Sequence, residues 1–279
     1  MKQEIDFIKF NPTQNMTILV KANYPVEEYG RIASKIMSYD NVYAEQVGFI
    51  EKPKNHQAAA HLQMAGGEFC GNACMALAAY IASEKGLKQN DWMEILLEAS
   101  GTDRLIMCQV KRDSDEYYCQ VTMPIPKQIE QKTIKYDGDD LDIVIVRYHE
   151  FIHIVIEVNE FSSSVREKAQ SLARLLGVTI GANLIGILLY KSKSDELAPL
   201  IYVSHLDSMV WERGCGSGTA SLGAYLAWKN KNKRNVAAII RQPGGTMKVV
   251  AHCHEGKLTN LKIEGCVGIV AQGKAFINV

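Results

Sequence analysis

Apolar and polar positions follow two rhythms along this chain. Short runs rich in apolar residues, IDFIKF, MTILVKA, YAEQVGFIE and HLQMAG, predict strands, with a short helix at 30–39 among them. Residues 71–85 are apolar on nearly every side, which predicts a helix buried all round. MEILLEA, RLIMCQV and EYYCQVTM come next as strands. The last stops at Pro124, Ile125 and Pro126, where two prolines end a sheet and suit an extended connector. The second half opens with LDIVIVRY and HIVIEV, a hairpin. SSSVREKAQSLARLLG places Val165, Leu172, Leu175 and Leu176 at amphipathic-helix spacing, with serines as cap and Gly177 as stop. NLIGILLY and PLIYVSH read as strands, a second buried helix covers 216–229, and NVAAIIRQ, TMKVVAHC and LTNLKIEG complete the sheet.

The two buried helices are related. CGNACMALAAYIA from Cys70 and CGSGTASLGAYLA from Cys215 share the opening Cys-Gly. They also match at Leu77 with Leu222, Ala79 with Ala224, Tyr80 with Tyr225, and Ala82 with Ala227. Downstream, LEASGTDRLIMCQV (97–110) falls against IRQPGGTMKVVAHC (240–253), each a glycine turn followed by an alternating strand. Upstream, NMTILV (15–20) has a weaker counterpart in NLIGILLY (183–190). The period is about half the chain, far longer than a solenoid repeat of roughly 20–50 residues. One duplicated α/β unit, giving two pseudo-symmetric halves, accounts for it. We expect an N-terminal α/β domain over 1–125, to which a C-terminal strand at 267–279 returns, and a C-terminal α/β domain over 126–266.

Bulk properties narrow the function. A length of 279 residues with 47% hydrophobic residues suffices for two cores. Lys+Arg and Asp+Glu both total 31, so no net field favours nucleic acid or an anionic membrane. The basic cluster WKNKNKR (228–234) reads as a solvated helix end. The charged start MKQEIDFIKF lacks the apolar core of a signal peptide, and no apolar stretch approaches the roughly 18 residues that span a bilayer. A cytoplasmic protein is expected. Its seven cysteines then read as reduced thiols rather than a disulfide framework. Zinc is not expected: there is no CxxC pair, and His252 and His254 could share a metal only with Cys253 turned away.

Two of these cysteines sit where chemistry is favoured. A helix N-terminus carries unpaired N–H groups and partial positive charge, which lowers the pKa of a thiol placed there. Gly71 and Asn72 after Cys70, and Gly216, Ser217 and Gly218 after Cys215, are small enough for an anion to approach the backbone. If the halves face each other, Cys70 and Cys215 flank the carbon that a bound carboxylate bears. One thiolate then removes the Cα proton while the other, as a thiol, protonates the opposite face, and configuration inverts. Such chemistry needs no cofactor. The other five cysteines read as small buried hydrophobes. His153 reads as a packed histidine, and Glu212 either as a surface carboxylate or as a partner for an imidazolium or α-ammonium group.

At these corners the sequence resembles the diaminopimelate epimerase-like family of cofactor-independent amino-acid racemases and epimerases. FNPTQNMTILV looks like the strand ending in a substrate-binding Asn, here Asn15. Gln46, in EQ at 45–46, matches a Gln that lines the site. CGNA (70–73), CGSGTA (215–220) and QPGG (242–245) match further motifs. The resemblance implies two α/β domains, each a curved, barrel-like mixed sheet around a central helix, with a small amino acid as substrate and no cofactor or metal. A homodimer is left open. There are departures: Phe151 stands where an Asn would hold the distal end of diaminopimelate, and Cys215 comes directly after Glu212-Arg213-Gly214, without an intervening loop. The proline racemase-like members usually have His where Asn72 stands. The pattern is most similar to the histidine racemases of opine-type metallophore biosynthesis. Diaminopimelate epimerase is the alternative enzyme. A carboxylate-binding module with redox-active paired thiols is the non-enzymatic one.

Overall fold

A computed structural model describes residues 2–149, 151–180, 182, 184–204 and 207–278. Asn183 and His205, which begin and end two of the expected strands, lie outside the described residues. The chain divides into two compact units, Met1–Thr122 with Glu264–Val279, and Met123–Ile263.

The first unit holds β1 (Lys2–Pro12), β2 (Thr17–Lys21), α1 (Tyr29–Ile36), β3 (Gln46–Glu51), β4 (Ala60–Met64), α2 (Gly71–Glu84), β5 (Trp92–Ala99), β6 (Ile106–Asp113) and β7 (Glu116–Thr122). Its strands are ordered β1 to β7. β2–β3 and β4–β5 are parallel pairs; β1–β2, β3–β4, β5–β6 and β6–β7 are antiparallel. β1, β4, β5, β6 and β7 alternate buried and more exposed positions, whereas β2 is buried continuously over 17–20 and β3 over 47–49, and α2 packs against all seven strands. Its alanines at 73, 76, 78, 79 and 82 are buried, and their small size brings the helix backbone close to the strands. α1 is amphipathic. It buries Tyr29, Ile32, Ala33 and Ile36, with the Tyr29 ring stacked 3.7 Å from that of Phe49.

The second unit holds β8 (Gln128–Tyr136), β9 (Asp139–Arg147), β10 (Phe151–Glu157), α3 (Ser163–Ile180), β11 (Leu184–Lys191), β12 (Glu196–Val203), β13 (Ser208–Trp211), α4 (Gly216–Lys229), β14 (Asn235–Gln242) and β15 (Gly245–His254). The order is β15-β14-β12-β11-β10-β9-β8, with β13 on β12. β10–β11 and β12–β14 are parallel and the other pairs antiparallel. β16 (Lys257–Asn278) begins in this unit and ends in the first, where it lies antiparallel to β1. Among the described residues no helix is long and apolar enough to cross a membrane.

Three details depart from the sequence expectation. β8 is an additional strand, whose side chains are mostly exposed and polar and give little period-two contrast. β13 is too short to carry a pattern. Gly177 does not stop α3, which continues to Ile180. A side chain at 177 would meet the Tyr202 ring at 2.8 Å, so this glycine serves close packing on β12 rather than termination.

Candidate active site

Each buried helix begins at its cysteine. Cys70 is the N-cap of α2, with extended backbone (φ −129°, ψ 108°) and a sulfur that accepts the Ala73 N–H at 3.3 Å. Cys215 caps α4 in the same way (φ −104°, ψ 107°), accepting the Gly218 N–H at 3.2 Å. These sulfurs fill the role that a serine or threonine oxygen usually has at an N-cap. Gly218 makes room for one of them, since a Cβ there would stand 3.0 Å from both the Cys215 sulfur and Leu188. Gly71 and Asn72 are buried in the first turn of α2. In α4, Gly216 and Gly218 are buried and Ser217 is half-buried, its Oγ 3.5 Å from the Cys215 sulfur.

Around Cys70 the first unit assembles a polar group. The thiol donates to Gln46 Oε1 at 2.5 Å. Asn15, fully buried between β1 and β2, donates from Nδ2 to Glu45 Oε2 at 2.8 Å. Its Oδ1 has no hydrogen-bond partner among the described residues. A buried amide oxygen left open in this way costs free energy unless a ligand or water satisfies it. Glu45 is not among the residues expected from the sequence. Its one signal there is its place immediately before Gln46.

Around Cys215 the second unit places Glu212, just past β13, with its carboxylate hydrogen-bonded to the thiol. Burial pushes this thiol well above its usual range, and the Glu212 charge and hydrogen bond push it further. The Ser217 hydroxyl and the Gly218 amide act in the opposite direction and do not prevail. This corrects the expected lowering of pKa at the α4 corner. One turn of helix dipole is outweighed by desolvation and an adjacent carboxylate.

A second layer supports α4. His153 on β10 is fully buried, and its Nδ1 lies 2.8 Å from Ser221 Oγ, which donates to the Tyr148 hydroxyl at 3.0 Å. Desolvation lowers the imidazole pKa to about 3, so this histidine is neutral at pH 7. Glu157, at the far end of β10, accepts from Tyr225 at 2.5 Å and Lys229 at 2.6 Å. β10 therefore runs alongside α4 in the same sense, which sets half-buried Phe151 toward the N-terminal end of the helix. Its ring stacks on Tyr148 with centroids 4.3 Å apart.

Solved structures of other proteins define the class. A hydroxyproline epimerase from Agrobacterium vitis, crystallised with trans-4-OH-L-proline, aligns with a TM-score of 0.73 at 11% identity, covering 99% of this chain and 93% of that one. The Bacillus anthracis phenazine biosynthesis protein of the PhzF family aligns at 0.69 and 16% identity, covering 100% of both. The fold is thus a strand-rich α/β architecture with mixed sheets, similar to proline racemase and PhzF-like proteins. Residues 4–276 match the family model described as histidine racemase CntK N-terminal domain. A histidine racemase of Staphylococcus aureus is 34% identical over 282 residues, 99% of each chain. Another, from Fusobacterium nucleatum, is 31% identical over 281 residues, covering 99% of this chain and 98% of its own. The chain belongs to this histidine racemase family.

Proposed function

We propose that the protein is a histidine racemase that inverts free histidine at Cα, using Cys70 and Cys215 as its acid/base pair and no cofactor. The observation that carries this is the pair of cysteine N-caps on two buried helices, in a chain of the histidine racemase family. A thiolate at one position takes the Cα proton, and the thiol at the other returns a proton to the opposite face; exchanging the roles runs the reaction backwards. The first-turn amides of α2 and α4 suit the substrate carboxylate, and hydrogen bonds there stabilise the negative charge that develops as the Cα–H bond breaks.

The remaining residues find roles in this scheme. Cys215, with its raised pKa, rests as the proton-bearing thiol, and Glu212 is placed to take its proton when the direction reverses. The open Oδ1 of Asn15 suits the α-ammonium group, and Glu45 beside it adds a negative charge. Gln46 contacts the Cys70 sulfur and orients it; in the direction in which Cys215 donates, Cys70 releases its proton to solvent before it takes the one at Cα. Phe151 offers a flat apolar face for the imidazole ring.

The same proposal takes the two compact units as pseudo-symmetric domains, 1–125 with 267–279 and 126–266, each a curved mixed sheet around a central helix in the diaminopimelate epimerase-like fold. In support, α2 and α4 are both 14 residues long, begin alike and are buried on almost every side. Working thiols need a reducing compartment, which implies the cytoplasm. There D-histidine would supply an opine-type metallophore, as the resemblance suggests. Chiral chromatography of L-histidine incubated with the protein tests the activity. Equal D- and L-histidine at equilibrium is expected, and unchanged L-histidine would refute it.

A further inference from the structure

The strand-to-turn segment beyond α4 carries a side chain whose hydrogen bonds all close on one cysteine. Gln242, the last residue of β14, accepts the Cys215 backbone N–H on Oε1 at 2.7 Å. From Nε2 it donates to Thr219 Oγ1 at 2.8 Å. Thr219 Oγ1 in turn donates to the Cys215 carbonyl at 2.7 Å. The three bonds form a closed circuit that engages both backbone groups of Cys215. All three residues are shielded from solvent, with Cys215 2%, Thr219 0% and Gln242 9% exposed. Water cannot readily substitute for any of these bonds, and their polar groups would be costly to leave open.

We propose that Gln242 is a positioning residue for the racemisation: with Thr219 it locks the Cys215 backbone in the extended N-cap conformation and so aims the sulfur. This inference rests on the assignment of Cys215 as an acid/base group. The capped conformation directs the Gly218 N–H at the sulfur, where it favours the thiolate against the Glu212 carboxylate. The other groups facing the sulfur are the Ser217 hydroxyl and Glu212 itself. His153 beneath the helix is neutral. The circuit belongs to the second unit alone. The positions aligned with Thr219 and Gln242 in the sequence repeat are Cys74 and Ala99, which cannot form it. The first unit supports its corner differently: Ser100 Oγ donates to the Glu68 carbonyl at 2.8 Å, and Gln46 binds the Cys70 sulfur directly.

Two variants and two readouts test this. Gln242→Met keeps the length of the side chain and removes both of its hydrogen bonds, while Thr219→Val is nearly isosteric and breaks the circuit at another point. Alkylation of Cys215 by iodoacetamide, read by peptide mass spectrometry across the alkaline range, reports the thiol titration without reference to activity. Chiral assay of histidine gives kcat and KM. The titration midpoint is expected to rise in both variants, and kcat to fall by about 100-fold for Gln242→Met with KM nearly unchanged, the cost of a misplaced group. The double variant should be no worse than Gln242→Met, because both changes open one circuit. An unchanged titration midpoint in both folded variants would overturn the proposal, as would kcat falling only in step with thermal stability. If Gln242→Met does not fold, Thr219→Val decides by the same criteria. If the native protein does not racemise histidine, the alkylation profiles still decide the positioning role, so the two failures are distinct.

Discussion

Cys215 illustrates how competing influences meet on one sulfur. The helix terminus favours the thiolate, while burial and Glu212 favour the thiol, and the thiol prevails. The sequence marks the helix start and, through its apolar run, the burial of that helix, but nothing in it brings the Glu212 carboxylate onto the sulfur. Cys70→Ser and Cys215→Ser keep size and capping but replace the thiol with a far weaker acid. Each should lower racemisation by roughly 10³-fold or more, and near-native turnover in either would exclude the two-thiol scheme. His153 gives a prediction on stability. Its pKa is about 3 in the folded chain against an ordinary 6.5, so the unfolded state binds the extra proton as pH falls. The stabilising contribution is therefore fully present above about pH 6.5 and is lost progressively below it, by about 2 kcal/mol at pH 5. Denaturant unfolding at these two pH values should show that difference in the native protein and lose most of it in His153→Asn. An equal pH dependence in both would remove His153 from the account.

At the scale of elements, the apolar pattern was most informative where burial is one-sided or complete. The second buried helix, expected at 216–229, spans those residues, and the first ends one residue short of its expected limit. Edge strand β8 escaped because exposure erases the alternation on which strand recognition depends. The turns that brace the helices were legible only as glycines, without their purpose. Gly101 shows that purpose: at φ +72° its Cβ would stand 2.2 Å from the Phe69 nitrogen, just before the Cys70 corner. Backbone cannot yield as a side chain can, so Gly101→Ala should cost about 1–3 kcal/mol and displace Cys70. Gly138 has φ +85° but nothing within 4 Å of the place a Cβ would occupy, which makes Gly138→Ala the control for backbone strain alone. Turnover should fall sharply in the first variant and hold in the second. Similar turnover in both would mean that the contact at Phe69 does not support the site.

At the scale of the whole molecule, the duplicated Cys-Gly motif and the resemblance it carried pointed to a racemase family, and the relatives at 34% and 31% identity agree. Side-chain choice is a finer matter, because it depends on residues that no motif brings together. In the proposed site Phe151, packed against Tyr148 and His153, would give the substrate side chain no polar partner, whereas diaminopimelate carries a second charged amino-acid group that needs one. Sites that leave polar groups unpaired can discriminate by roughly 10⁴-fold. Catalytic efficiency should therefore strongly favour L-histidine over LL-diaminopimelate under identical conditions, and the reverse order would overturn the substrate assignment while leaving the thiol pair intact. The central claim is cofactor-free inversion of histidine at Cα. It is tested most directly by incubating L-histidine in D2O with protein dialysed against EDTA and given no pyridoxal phosphate, then measuring chirality and Cα deuterium together. D-histidine carrying deuterium at Cα, formed until the two enantiomers are equal, is the predicted result; L-histidine that keeps both its configuration and its Cα proton would contradict it.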